Sequence, residues 1–145
     1  MNRKKFIKIC SYSIFSTPLA VSVLHSCKTI YYANFNVEAD RYAIPVSEFF
    51  SEVENEKTKR DFVLIKPDNI DFPICLYQSE DNEYHASLLM CTHRGCELNV
   101  GGGIYSCPCH GSEFSSDGKV LAGPANKDLQ TFRTEVYHEY IYVYL

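Results

Sequence analysis

The chain has 145 residues, 46% hydrophobic and 22% charged, with 11 Tyr, 9 Phe and no Trp. That length and composition suit one ordinary globular domain. Residues 1–26 carry four basic residues and no acid, so residues 27–145 hold ten basic against 18 acidic residues, about −8. This excludes a nucleic-acid ligand, whose phosphates need a basic footprint, and leaves an acidic surface suited to solubility or to a cationic partner.

The N-terminus reads as an address. Arg3, Lys4, Lys5 and Lys8 precede an apolar run from Ile9 to Leu24, 16 residues long. A membrane-spanning helix needs about 20. A basic start, a short apolar stretch and small residues at its end make residues 1–26 an expected signal peptide. Asn2-Arg3-Lys4-Lys5-Phe6 looks like a twin-arginine signal with Lys4 in place of the second arginine, and general secretion is the alternative. Leu24-His25-Ser26-Cys27 is similar to a bacterial lipoprotein box. It makes Cys27 the expected lipidation site, tethering an exported protein to a bacterial membrane. A cleaved soluble form and an uncleaved anchor are the alternatives, and Cys10 falls in the discarded run.

Residues 27–41 are weakly patterned and read as a tether, and residues 42–145 as the domain. Ala43-Ile44-Pro45-Val46 is extended, Ser47–Val53 a helical turn or edge segment, and Glu54–Arg60 a solvated charged turn. Phe62–Ile65, Ile74–Tyr77 and Tyr84–Met90 read as strands, and Thr131–Tyr137 with Tyr140–Tyr144 as a hairpin around His138-Glu139. Apolar runs rich in β-branched and aromatic residues, without a sustained helical period, define an all-β chain, a small antiparallel β-sandwich or barrel. Cys75, between Ile74 and Leu76, is expected to be a free strand cysteine. His85 and His138 lack a neighbouring ligand cluster and read as surface histidines.

The chemistry concentrates in two boxes. Cys91-Thr92-His93-Arg94-Gly95-Cys96 is followed by Cys107-Pro108-Cys109-His110-Gly111-Ser112, with 13 residues between His93 and Cys107. Two C-x-H/C-x-x-H pairs offer two thiolates and two imidazoles, a donor set for either zinc or an iron–sulfur cluster. Cys96 and Cys109 are spare in both boxes, and in an exported protein spare cysteines in neighbouring loops favour a disulfide.

Both boxes resemble the cluster-binding boxes of Rieske iron–sulfur proteins, in the disulfide-bearing type found in quinol:cytochrome oxidoreductases and related exported systems. Phe114, Gly118, Val120 and Gly123-Pro124-Ala125 continue the resemblance, the last trio matching the family's proline loop over the cluster. The strong match covers 91–125, within an expected cluster-binding subdomain at about 88–127. The resemblance implies one [2Fe–2S] cluster, with Cys91 and Cys107 on one iron, His93 and His110 on the other, and a Cys96–Cys109 disulfide. Neutral imidazoles in place of two thiolates ease electron uptake, which puts such centres at about −150 to +300 mV.

Three departures qualify the resemblance. Ser112 matches the family serine that donates to a bridging sulfide, but Phe114 stands where a tyrosine often donates to a ligand sulfur, so a lower potential is expected. Arg94 replaces the apolar residue that helps quinol-type members dock, and the loop from Asn99 to Ser106 is short. The expected function is one-electron transfer as an exported redox protein or subunit. Its partner would be another redox protein, such as a cytochrome or membrane oxidoreductase. The alternatives are the Rieske subunit of a quinol:cytochrome oxidoreductase, a ring-hydroxylating oxygenase ferredoxin and a structural zinc module. No residue pattern supplies a catalytic substrate site.

Overall fold

The computed structural model describes residues 30–53 and 56–145. The expected signal peptide, Cys10 and the expected lipidation site Cys27 lie outside them. Among the described residues no helix is long and apolar enough to cross a membrane.

In chain order the strands are β1 (Asn36–Val37), β2 (Arg41–Pro45), β3 (Phe50–Val53), β4 (Glu56–Lys59), β5 (Phe62–Ile65), β6 (Ile74–Gln78) and β7 (Tyr84–Leu88). Then follow β8 (Asn99–Gly101), β9 (Ile104–Ser106), β10 (Glu113–Ser115), β11 (Val120–Ala122), β12 (Thr131–Phe132), β13 (Thr134–Tyr137) and β14 (Tyr140–Tyr144). They form sheets of order β1-β2-β14-β13, β12-β7-β6-β5 and β11-β10-β9-β8, with β3-β4 as a separate hairpin. The pairings within these sheets are antiparallel. The architecture is the all-β one expected from the sequence.

The β12-β7-β6-β5 sheet is buried on both faces, and side-chain alternation assigns its residues to two cores. Val63, Ile65, Ile74, Leu76, Ala86 and Leu88 pack with Tyr42, Ile44, Ile141 and Val143 of the β1-β2-β14-β13 sheet. The intervening Leu64 and Cys75 face the other way and join Tyr105, Phe114, Cys91 and Cys107. Each fully buried aliphatic side chain contributes about 1.5–3 kcal/mol, so this second core anchors the cysteine-bearing subdomain to the sheet beneath it.

Three expectations need correction. Glu54–Arg60 is not merely a charged turn, because Glu56–Lys59 pairs with Phe50–Val53. Glu56, Lys57 and Lys59 sit on a solvent-facing hairpin held by Ser51 Oγ against Thr58 Oγ1 at 2.6 Å and by Lys57 over the Phe50 ring, whereas Arg60 turns inward to the Glu48 and Phe50 carbonyls. The tether over 27–41 is, from Tyr31 onward, bonded into the domain. Ala33 N donates to Leu64 O at 2.7 Å, Leu64 N donates to Tyr31 O at 3.0 Å, and β1 extends β2. Finally, Thr131–Tyr137 divides at Arg133: β12 pairs with β7 and β13 with β14, so the segment passes from one sheet to another.

Candidate metal centre

Both boxes fold into the same backbone frame. In the first, Cys91 N donates to Cys96 O at 2.8 Å and Gly95 N donates to Cys91 O at 2.8 Å. In the second, Cys107 N donates to Ser112 O at 2.8 Å and Gly111 N donates to Cys107 O at 3.0 Å. Gly95 at φ 74° and Gly111 at φ 76° occupy the left-handed region, which glycine enters without the Cβ penalty of other residues. In this frame Cys91 corresponds to Cys107, Cys96 to Ser112, and Arg94 to His110.

Three loops meet at this end: 91–96, 107–112 and 123–128. Each pair is tied. A disulfide joins Cys96 and Cys109, with Sγ atoms 2.07 Å apart. Thr92 Oγ1 donates to Lys127 O at 2.6 Å, linking the first loop to the third. Ala125 N donates to Ser112 Oγ at 3.0 Å, linking the third to the second. A pocket tied on all sides holds its ligands in place before a metal arrives.

Cys91 and Cys107 are free thiols, buried at 1% and 4% exposure. The rings of His93 and His110 lie edge to face with centroids 5.1 Å apart. His110 is exposed and His93 half-buried, so the sulfurs form the floor of the site and the imidazoles its rim. Burial pushes the Cys107 thiol up, but contact with the Cys91 side chain and the N–H groups of Cys109 and His110 outweigh it and lower its pKa. This favours the thiolate that binds metal.

Two thiol and two imidazole donors suit either zinc or an iron–sulfur cluster. Tetrahedral zinc, with ligands at about 2.0–2.3 Å, draws all four ligand atoms to within about 4 Å of one another. Among the described residues, ligand atoms clustered within 4.8 Å are the sulfurs of Cys96, Cys107 and Cys109. Two of these are bonded to each other. The Cys91 and Cys107 side chains are in contact and the His93 and His110 rings are adjacent, so the donors fall into a sulfur pair and an imidazole pair.

Ser112 is buried and accepts from Ala125 N, leaving its hydroxyl proton for another acceptor. Phe114 is fully buried in the core that holds Cys91 and Cys107. Pro124, exposed, follows Gly123 through a cis peptide bond. His85 on β7 and His138 in the β13–β14 turn belong to other parts of the fold. The roles of Thr92, the Lys127 carbonyl and the Ala125 amide were not read from the sequence. The Cys-Thr-His order offered a hint of the first, whereas main-chain groups carry no residue-type signal.

A disulfide-braced loop pair presenting two cysteine sulfurs and two imidazoles on a small antiparallel domain fits an iron–sulfur protein. The family model for the Rieske [2Fe-2S] domain matches residues 49–133, more than half of the chain, and the chain belongs to that family. Its cofactor is one [2Fe–2S] cluster.

Among relatives, the cytochrome b6-f complex iron-sulfur subunit of Synechococcus sp. (strain JA-2-3B'a(2-13)) is 49% identical over 43 residues, 28% of this chain and 25% of that protein. The chain thus matches about a quarter of the length of that relative. The cyanobacterial plasma membrane Rieske protein PetC3 from Synechocystis PCC 6803 superposes with a TM-score of 0.52 at 34% identity, covering 59% of this chain and 87% of that one. A quaternary ammonium Rieske monooxygenase, CntA, superposes with a TM-score of 0.52 over 80% of this chain and 32% of that one. At 17% identity it shares the fold alone.

Proposed function

We propose that this chain is an exported one-electron carrier, in which Cys91 and Cys107 hold one iron of the cluster and His93 and His110 the other. The pairing of buried sulfurs with one exposed and one half-buried imidazole supports this reading most directly. When bound, the cluster supplies a one-electron couple. Cys91 and Cys107 shield its inner end from water with Leu89, Leu98 and Phe114. His93 and His110 carry the coupling outward to a rim that a partner can touch. Ser112, held by Ala125 N, directs its hydroxyl proton toward the cluster side of the pocket and steadies added negative charge.

The organisation we propose is a signal peptide over residues 1–26, lipidation at Cys27 and a domain that begins near Tyr31 rather than Tyr42. Incorporation of labelled fatty acid, lost in Cys27→Ser, tests the anchor. Purified protein tests the carrier: iron and acid-labile sulfide in equal amounts, with a reducible electron paramagnetic resonance signal, are expected.

A second reading is favoured by the b6-f subunit relatives: a Rieske subunit of a quinol:cytochrome oxidoreductase. Arg94, exposed on the first loop, makes the rim polar and weighs against docking in an apolar quinol pocket. Quinol oxidation by membranes with and without this protein separates the readings. Loss of that activity on deletion, restored by the intact chain, would favour the second.

A further inference from the structure

The charge of this domain is divided. The described body is rich in carboxylates, yet the three tip loops carry only Arg94, Lys127 and Asp128 as formal charges. Asp128 is neutralised by Lys119 Nζ at 2.8 Å and also accepts from Val120 N. Arg94 and Lys127 are exposed and form no ion pair with any described residue. They stand on loops joined by the Thr92 Oγ1 to Lys127 O hydrogen bond. Arg94 also occupies the frame position that His110 holds in the second loop, the position that projects outward. Glu97 and Glu113, both exposed, follow directly after the first and second loops, at the bridge to Met90 and at the start of β10. The three loops themselves are therefore positive on a domain whose net charge is negative.

At physiological ionic strength the Debye length is about 8 Å. The distant carboxylates are then largely screened, and the charges at the contact decide which surfaces pair. The acidic surface read from composition points to a cationic partner; the tip reverses that for the face that exchanges electrons. We propose that the imidazole rim docks onto a carboxylate-rich surface around its partner's redox group, with Arg94 and Lys127 as the contact cations. This rests on the electron-carrier reading above. Carboxylates on the partner would meet the two cations, while the acidic body repels the same surface and disfavours docking by any other face.

The test uses two oxidants of opposite charge on the reduced holoprotein. Hexacyanoferrate(III), a trianion, and tris(phenanthroline)cobalt(III), a trication, each accept one electron from the reduced protein to give the iron(II) and cobalt(II) complexes. With the trianion, the wild-type rate is expected to fall as salt rises. Arg94→Glu with Lys127→Glu should slow it about tenfold and reverse the salt dependence, while the trication accelerates. Lys57→Glu with Lys59→Glu, the same charge change on the exposed β4 strand, should alter either rate less than about twofold.

A wild-type rate with the trianion that rises with salt would overturn the proposal. So would a β4 variant that matches the tip variant. A second readout needs no electron transfer. Calorimetric affinity for hexacyanochromate(III), a redox-inert trianion, should weaken several-fold in the tip variant, and unchanged affinity would also overturn the proposal. Absence of any reducible cluster would instead defeat the carrier reading, and the chromium arm would still report the charge of the tip.

Discussion

The backbone N–H of Ala125 donates to Ser112 Oγ across 3.0 Å, with both residues buried. This bond locks the loop after β11 onto the second cysteine loop. Because the oxygen is already an acceptor, the hydroxyl's single proton is left to donate.

Ser112→Ala therefore has two expected consequences. Losing a donor that favours the reduced centre should lower its potential by about 60 mV or more, equivalent to roughly 1.4 kcal/mol for one electron. The orphaned Ala125 N–H should also destabilise the fold by about 1–3 kcal/mol. Protein-film voltammetry and urea denaturation measure the two separately.

Phe114→Tyr should act in the opposite direction. Phe114 has zero exposure and packs in the core that contains Cys91 and Cys107. A hydroxyl there that donates to a ligand sulfur should raise the potential by tens of millivolts, about 59 mV for each 1.4 kcal/mol. A fall or no change in a redox titration would count against it.

Cys96→Ser with Cys109→Ser removes the tie between the two ligand loops. The bridge spans a sequence separation of 13, for which loop-closure entropy is about 3 kcal/mol. The denaturation midpoint should drop accordingly, and the visible spectrum of the cluster should bleach faster on warming, since Thr92–Lys127 and Ser112–Ala125 then hold the pocket alone.

Cys75 should be inert in the folded protein. Burial pushes its thiol up to about 12, with contact to Tyr105 acting against that shift. Ellman's reagent at pH 8 should leave Cys75 unmodified until the chain unfolds. An acidic group with a raised pKa stays protonated in the fold while the unfolded chain ionises. Its stabilising contribution is thus complete below about pH 8.5 and is lost as pH rises toward 12. Comparing the wild type with Cys75→Ala in urea at pH 8 and pH 10.5 should show this contribution shrinking at the higher pH.

The β5, β6 and β14 strands were legible because their apolar runs are unbroken and adjoin polar turn residues. The strands around the site were not. β8 is Asn99–Gly101, too short and too rich in glycine to stand out. β4 consists of Glu, Lys, Thr and Lys, a composition that reads as turn until Ser51 and Thr58 are seen facing each other. Residues 31–37 dock through main-chain bonds to Leu64 and β2, which side-chain patterning does not encode. The cysteines and histidines announced themselves, because metal chemistry is restricted to few residue types. Their bracing through Lys127 O and Ala125 N did not, because any residue type supplies those atoms.

Cys91, His93, Cys107 and His110 are the residues proposed to hold the one [2Fe–2S] cluster. Pulsed electron paramagnetic resonance of the reduced protein tests this assignment most directly, because it counts the nitrogens bound to the paramagnetic centre. Two histidine nitrogens should couple in the wild type, with Cys96 and Cys109 still disulfide-bonded, and His93→Cys and His110→Cys should each leave one. A reduced protein that is silent and carries one zinc, or a centre coupled to no nitrogen, would contradict the account.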